Sequence, residues 1–157
     1  MEQQEVAMEQ TATSSDLNQL CGFRIGDGHY AISVLEVQEV IKPQLLTPVP
    51  LAPNYVRGLI NLRGQIVTAI SLRKLFGLVD DERDEYMNII VRSGDSLYSL
   101  VVDEILDVMD VNRDTYEPTP DTLEEKIRQF IGGVYKMDGK LLILLDLEKI
   151  LNLEVER

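Results

Sequence analysis

The chain holds one histidine, His29, and one cysteine, Cys21, against 27 aspartates and glutamates. One imidazole and one thiol, with no second histidine and no cysteine cluster, make neither a His/Cys metal cluster nor a nucleophile-base pair. No G-x-x-x-x-G-K phosphate loop is present either. The carboxylates fall mostly in turns and on polar faces, where solvation is their default state. Catalytic residues, metal ligands and cofactors are therefore not expected. Cys21 lies in an apolar strand and reads as core, and His29 as a surface residue at the start of a strand. The residue out of place is Arg63, which stands between Leu62 and Gly64 in an otherwise apolar hairpin. Turn geometry asks for no arginine there. A guanidinium held by a neighbouring carboxylate and flanked by Ile60, Leu62 and Ile66 is suited to recognising another protein, and Glu39 is the expected partner.

The elements that must position this pair are short. Gly58 to Leu62 and Gln65 to Ile70 read as strands around an Arg63-Gly64 turn. A short helix follows, N-capped by Ser71, with Leu72, Leu75 and Phe76 on one face and Gly77 at the left-handed closing position. Upstream, Leu17 to Ile25 and Tyr30 to Val34 form a hairpin around Gly26-Asp27-Gly28. Val37, Val40 and Ile41, set among Glu36, Gln38 and Glu39, predict a turn running into a strand with one polar face. Thr47 to Pro53, with three prolines, reads as a rigid connection.

The unit then recurs. At an offset of 68, Arg24-Ile25-Gly26-Asp27 becomes Arg92-Ser93-Gly94-Asp95, and Glu36 and Val40 become Glu104 and Val108. At an offset of 75, Gly64 becomes Gly139, and the capped helix from Ser71 becomes Asp146-Leu147-Glu148-Lys149-Ile150-Leu151-Asn152. The extra residues of the second copy fall between Asn112 and Gln129, as insertions into surface loops do. Two mostly-β units are expected, about 20–78 and 88–153, behind a disordered tail at 1–16 and joined by an acidic link. Units of this size are marginal alone, so two small barrels with a shared core are expected. Features kept by both copies are explained by the fold. Asn61-Leu62-Arg63 corresponds to Lys136-Met137-Asp138, however, and Glu39 to Asp107, so the cation is present in the first copy only.

Composition excludes several classes. The net charge of −12 opposes binding to nucleic acid or anionic membrane, and no apolar run approaches the ~20 residues of a spanning helix. Partners are expected to be proteins. A free-standing peptide-binding SH3-like module is the alternative, but such sites rest on aromatic side chains and the chain has no tryptophan. An enzyme would require a carboxylate with a strongly raised pKa in a pocket.

Val37-Gln38-Glu39, the Gly58 to Gly64 run Gly-Leu-Ile-Asn-Leu-Arg-Gly, Leu72-Arg73 and Val101-Val102-Asp103 together resemble the CheW family of chemotaxis coupling proteins, from about Leu20 to Leu153. The resemblance implies two SH3-like five-stranded β-barrels sharing a hydrophobic core, with short capping helices, over 17–157. It implies a non-catalytic cytoplasmic adaptor, monomeric in isolation and recruited to receptor arrays at the inner face of the membrane without inserting into it. The partners implied are the chemoreceptor cytoplasmic tip and the CheW-like regulatory domain of the kinase CheA, met barrel against barrel. Receptor contact, or its support, is carried over to Val37, Glu39, Gly58, Arg63 and Gly64. The same domain occurs in CheA and CheV, but 157 residues leave no room for their further domains, which favours the stand-alone form.

Overall fold

Alternating apolar residues bounded by glycine turns build the strands of this protein, seen in a computed structural model that describes residues 17–79, 85–112, 116–117, 125–137 and 139–155. The tail expected at 1–16, most of the acidic link and Asp138 lie outside the described residues. The first unit contributes β1 (Leu17–Ile25), β2 (Gly28–Ser33), a 3-10 turn (Val34–Glu36), β3 (Val37–Ile41), β4 (Val56–Leu62), β5 (Gln65–Ser71) and α1 (Leu72–Leu75). The second contributes β6 (Met87–Ser93), β7 (Ser96–Val102), β8 (Glu104–Asn112), β9 (Tyr116–Glu117), α2 (Glu125–Arg128), β10 (Ile131–Met137), β11 (Lys140–Leu145) and α3 (Leu147–Val155). The short β9 and α2 fall within the stretch read from sequence as an inserted loop.

The strands form two sheets, ordered β3-β6-β7-β5-β4 and β8-β1-β2-β11-β10, with β9 added to the second at the β10 edge. Under the sequence repeat these two orders are the same order. The register agrees residue by residue. In the parallel pairs His29 faces Leu142 in one sheet, and their counterparts Leu97 and Val67 face each other in the other. The register shift between Val56 and Gly58 recurs between Ile131 and Gly133.

The sheets do not coincide with the sequence units. Each unit lends its first hairpin to the sheet holding the other unit's last hairpin, so each barrel mixes segments from both halves. The cause is local: the chain passes from β2 to β3 through a three-residue 3-10 turn and from β7 to β8 through Asp103 alone. These crossovers are too short to let a hairpin fold back on its own unit. We call the sheet containing β3 to β5 the first barrel and the other the second.

This exchange makes the core common property. Phe23, Ile25 and Ile32 from one sheet pack with Ile70, Ile89 and Leu100 from the other, with Leu72, Ile150 and Leu151 from the helices, and with Phe76 at the end of α1. Tyr30, Phe76 and Phe130 form a chain of rings at centroid distances of 5.2 and 6.1 Å. Each barrel has in addition a small interior of its own, around Ile60, Val67 and Ile90 in the first and around Leu20, Tyr135 and Leu142 in the second.

Candidate functional site

In the first barrel β3 and β4 are the two edges of the sheet, and the site lies where closure brings them together. Thr47 and Leu59 exchange backbone bonds, Thr47 N–H to Leu59 O at 2.9 Å and Leu59 N–H to Thr47 O at 2.8 Å. Gly58 permits this approach. Its φ is 148°, and a Cβ there would stand 2.7 Å from the Thr47 carbonyl oxygen. Gly58 is buried, and the role its geometry displays is to close the barrel beneath the site.

The turn joining β4 to β5 is the two-residue kind in which both central residues take positive φ, 51° for Arg63 and 87° for Gly64. Asn61 Oδ1 accepts the Gly64 N–H at 3.0 Å and fixes the bend. Glycine, asparagine or aspartate satisfy this geometry cheaply; a long side chain costs on the order of 1 kcal/mol. Arg63 nevertheless occupies it with its side chain 68% exposed, and its Nη2 donates to Glu39 Oε2. An exposed pair contributes only ~0–1 kcal/mol. The pair therefore does not compensate the turn strain by a clear margin, and stability gives no reason for an arginine here.

Glu39 reaches the turn because Gln38 is an extra residue in β3: Val37 faces Val91, but Glu39 already faces Ile90. Val37, half-buried against the shared core, anchors the start of that strand. The five expected positions thus divide. Arg63, Gly64 and Glu39 meet at the rim, with Ile66 exposed beside them, while Val37 and Gly58 hold the strands from beneath.

A second arrangement lies at the β7–β8 crossover. Asp103, its side chain 4% exposed, accepts from Arg73 Nε at 2.9 Å and Nη2 at 2.8 Å, and from the Gly26 N–H at 2.8 Å. Arg24 lies 3.7 Å from the same carboxylate and bonds Glu104 at 2.9 Å, and Arg73 Nη1 donates to Val79 O at 2.6 Å. One carboxylate thereby ties α1, the β1–β2 turn and the crossover between barrels. Arg73 and Asp103 stand 30 residues apart with no local sign that they pair. The signal was there, because their repeat counterparts, Glu148 and Leu35, differ in character.

The counterpart crossover is open. Leu35 sits at the tip of the 3-10 turn, 94% exposed, and burial raises the Glu36 carboxyl above the ordinary value, with Asp146 and Glu148 adding to the effect and a backbone hydrogen bond at Ser33 opposing it. Cys21 is buried, as expected, and burial pushes its thiol up. Among the described residues no group of three His, Cys, Asp or Glu side chains is placed to hold a metal, and no helix is long and apolar enough to cross a membrane.

Two interleaved barrels share one core, and an arginine held in a positive-φ turn is displayed at the rim of the first. The chain belongs to the CheW-like domain family, whose pattern matches residues 19–155. The chemotaxis protein CheW of Helicobacter pylori is 34% identical over 139 residues, covering 88% of this chain and 84% of that protein. CheW of Bacillus subtilis is 34% identical over 133 residues, covering 84% and 85%. The crystal structure of the scaffolding protein TtCheW from Thermoanaerobacter tengcongensis superposes with a TM-score of 0.73 at 29% identity, covering 82% of this chain and 88% of that one. The chain is a chemotaxis scaffold of this family.

Proposed function

We propose that the scaffold couples the cytoplasmic tip of a chemoreceptor to the kinase CheA, without catalysis and on the cytoplasmic side of the membrane, with the first-barrel rim docking the receptor. The observation that supports this is Arg63, kept in a turn conformation unfavourable to arginine, paired with Glu39 across the closing edges of the barrel and open to solvent. Arg63, Gly64 and Glu39 make the contact; Val37 and Gly58 hold its shape. The regulatory domain of CheA is met barrel against barrel. A scaffold transmits a signal only if its contacts differ between partner states, because equal affinity for both shifts no equilibrium. Modest affinity for each partner suffices where many contacts act together.

The test is quantitative binding of a purified receptor tip to the full chain. Arg63→Ala is expected to weaken binding tenfold or more, and exchanging the charges (Glu39→Arg with Arg63→Glu) to recover part of the loss. Unchanged binding by both variants places the receptor contact elsewhere.

A further inference from the structure

The interior of the first barrel holds two polar side chains that the second barrel does without. Asn88 on β6 is 1% exposed, and Ser99 on β7 is fully buried. Strand alternation turns both inward, on the face of Ile90, Leu97 and Val101. At an offset of 68 their counterparts are Leu20 and Ala31, both buried in the interior of the second barrel. The fold by itself therefore accepts apolar side chains at these two places.

Both polar groups are bonded. Ser99 Oγ donates to Asn88 Oδ1 at 2.7 Å, and Asn88 Nδ2 donates to the Lys42 carbonyl at 3.1 Å. Lys42 is where β3 leaves its ladder. The last pair of β3 with β6 is Ile41 with Asn88, and Pro43, which has no N–H to give, follows Lys42. The counterpart strand β8 carries Val111 there and runs on: Asp110, at the Lys42 place, still pairs with Gln19, and the ladder continues to Asn112. A side-chain amide from the interior thus makes, in the first barrel, a tie that strand pairing makes in the second. Gln44 Nε2 also donates to the Lys42 carbonyl, at 3.0 Å, but Gln44 belongs to the same loop and fastens nothing to the sheet.

The tie holds the closing seam. From Lys42 the chain crosses to Thr47, whose exchange of backbone bonds with Leu59 joins the two edges of the sheet. Glu39 lies upstream of this seam on β3, and Arg63 downstream of it beyond β4. The reach of one to the other depends on where β3 ends.

We propose that Asn88 and Ser99 are positioning residues: they pin the end of β3, and with it the seam, so that Glu39 and Arg63 are presented to the docking partner in a fixed arrangement. This rests on the reading of that rim as the receptor contact. A rim fixed before docking loses less freedom on binding. An apolar pair of similar shape would serve stability about as well, so what the polar pair supplies is geometry.

Hydrogen exchange and receptor-tip binding, both measured on the full chain, test this. Asn88→Val with Ser99→Ala removes both partners and leaves no buried group unpaired, so the denaturation midpoint should hold. Exchange at the Thr47 and Leu59 amides should quicken on the order of tenfold, with no change at the amides between β1 and β8. Tip binding should weaken about three- to tenfold, because apparent affinity falls with the fraction of molecules whose rim is competent. Asn88→Leu with Ser99→Ala, the pair of the second barrel, gives the same test if valine disturbs folding. Unchanged exchange at the seam, or a large fall in midpoint in both double variants, overturns the proposal. So does faster exchange with tip binding intact, provided that Arg63→Ala weakens that binding. If Arg63→Ala leaves it intact, the receptor reading fails, and seam exchange alone decides whether the pair pins β3.

Discussion

The two crossovers between the barrels occupy equivalent places in the repeat and are built in opposite ways. At one, the Asp103 side chain is buried and bonded to Arg73 and Gly26; at the other, Leu35 points into solvent, and Asp146 and Glu148 act on the neighbouring Glu36 carboxyl. The rims diverge in the same fashion, an ion pair across the first and a hollow in the second. Duplication preserved strand order, register and bulges, because those decide whether the common core forms. Divergence accumulated at crossovers and rims, outside the common core. One crossover became a structural tie, and one rim came to display an ion pair.

The sharpest way to break this comparison is to remove the tie. Asp103→Ala leaves the largely buried Arg73 guanidinium without its bidentate acceptor and the Gly26 N–H without a partner. Breaking a buried pair on one side is expected to cost about 3 kcal/mol, read as a large fall in denaturation midpoint. Leu35→Ala, at the equivalent position, should change stability by less than about 0.5 kcal/mol. Equal losses at both positions would mean that the open crossover is also structural.

A smaller effect, opposite in sign, is expected at the first rim. Arg63→Asn suits the positive-φ turn and should raise stability by about 0.5–1 kcal/mol, while receptor-tip binding falls with the loss of the guanidinium. Denaturation and binding measured on the same preparation would show the two moving apart. If both fell together, Arg63 would belong to the framework.

How much of this was legible in the sequence depends on how local each feature is. Strands and turns could be read because alternation and the glycine turns at Asp27-Gly28, Arg63-Gly64 and Gly94-Asp95 are short-range signals. The two registers could be matched because the offsets of 68 and 75 hold along the strands. The hairpin exchange could not be read: a repeat shows which segments are alike, not which of two like partners a hairpin will join. Arg63 was visible as a cation with no local reason to be there, and Glu39 as the carboxylate in reach. Arg73 sits unremarkably in a helix and Asp103 between two strands, so only their differing counterparts Glu148 and Leu35 mark them. The positive φ of Leu51, 65°, has no signal in the sequence, because leucine carries no preference for it.

The smallest effect lies with the acids beside the crossovers. Glu36 holds its proton more tightly in the folded chain than in the unfolded one, chiefly because burial disfavours its charge. Its contribution therefore favours folding at low pH and is lost as pH rises through the ordinary glutamate value of 4.5 toward the raised one. Glu36→Gln, which keeps an oxygen for the Ser33 hydrogen bond, should be more stable than the parent at pH 7 and indistinguishable from it well below pH 4.5. Glu104, its counterpart, bonds Arg24 instead. Glu104→Gln should lose that pair and fall slightly at pH 7, by ~0–1 kcal/mol for an exposed contact. Opposite signs for the same substitution at two equivalent positions would show that the crossovers differ in electrostatics as well as geometry; a shift in the same direction at both would leave the geometric contrast without its electrostatic counterpart.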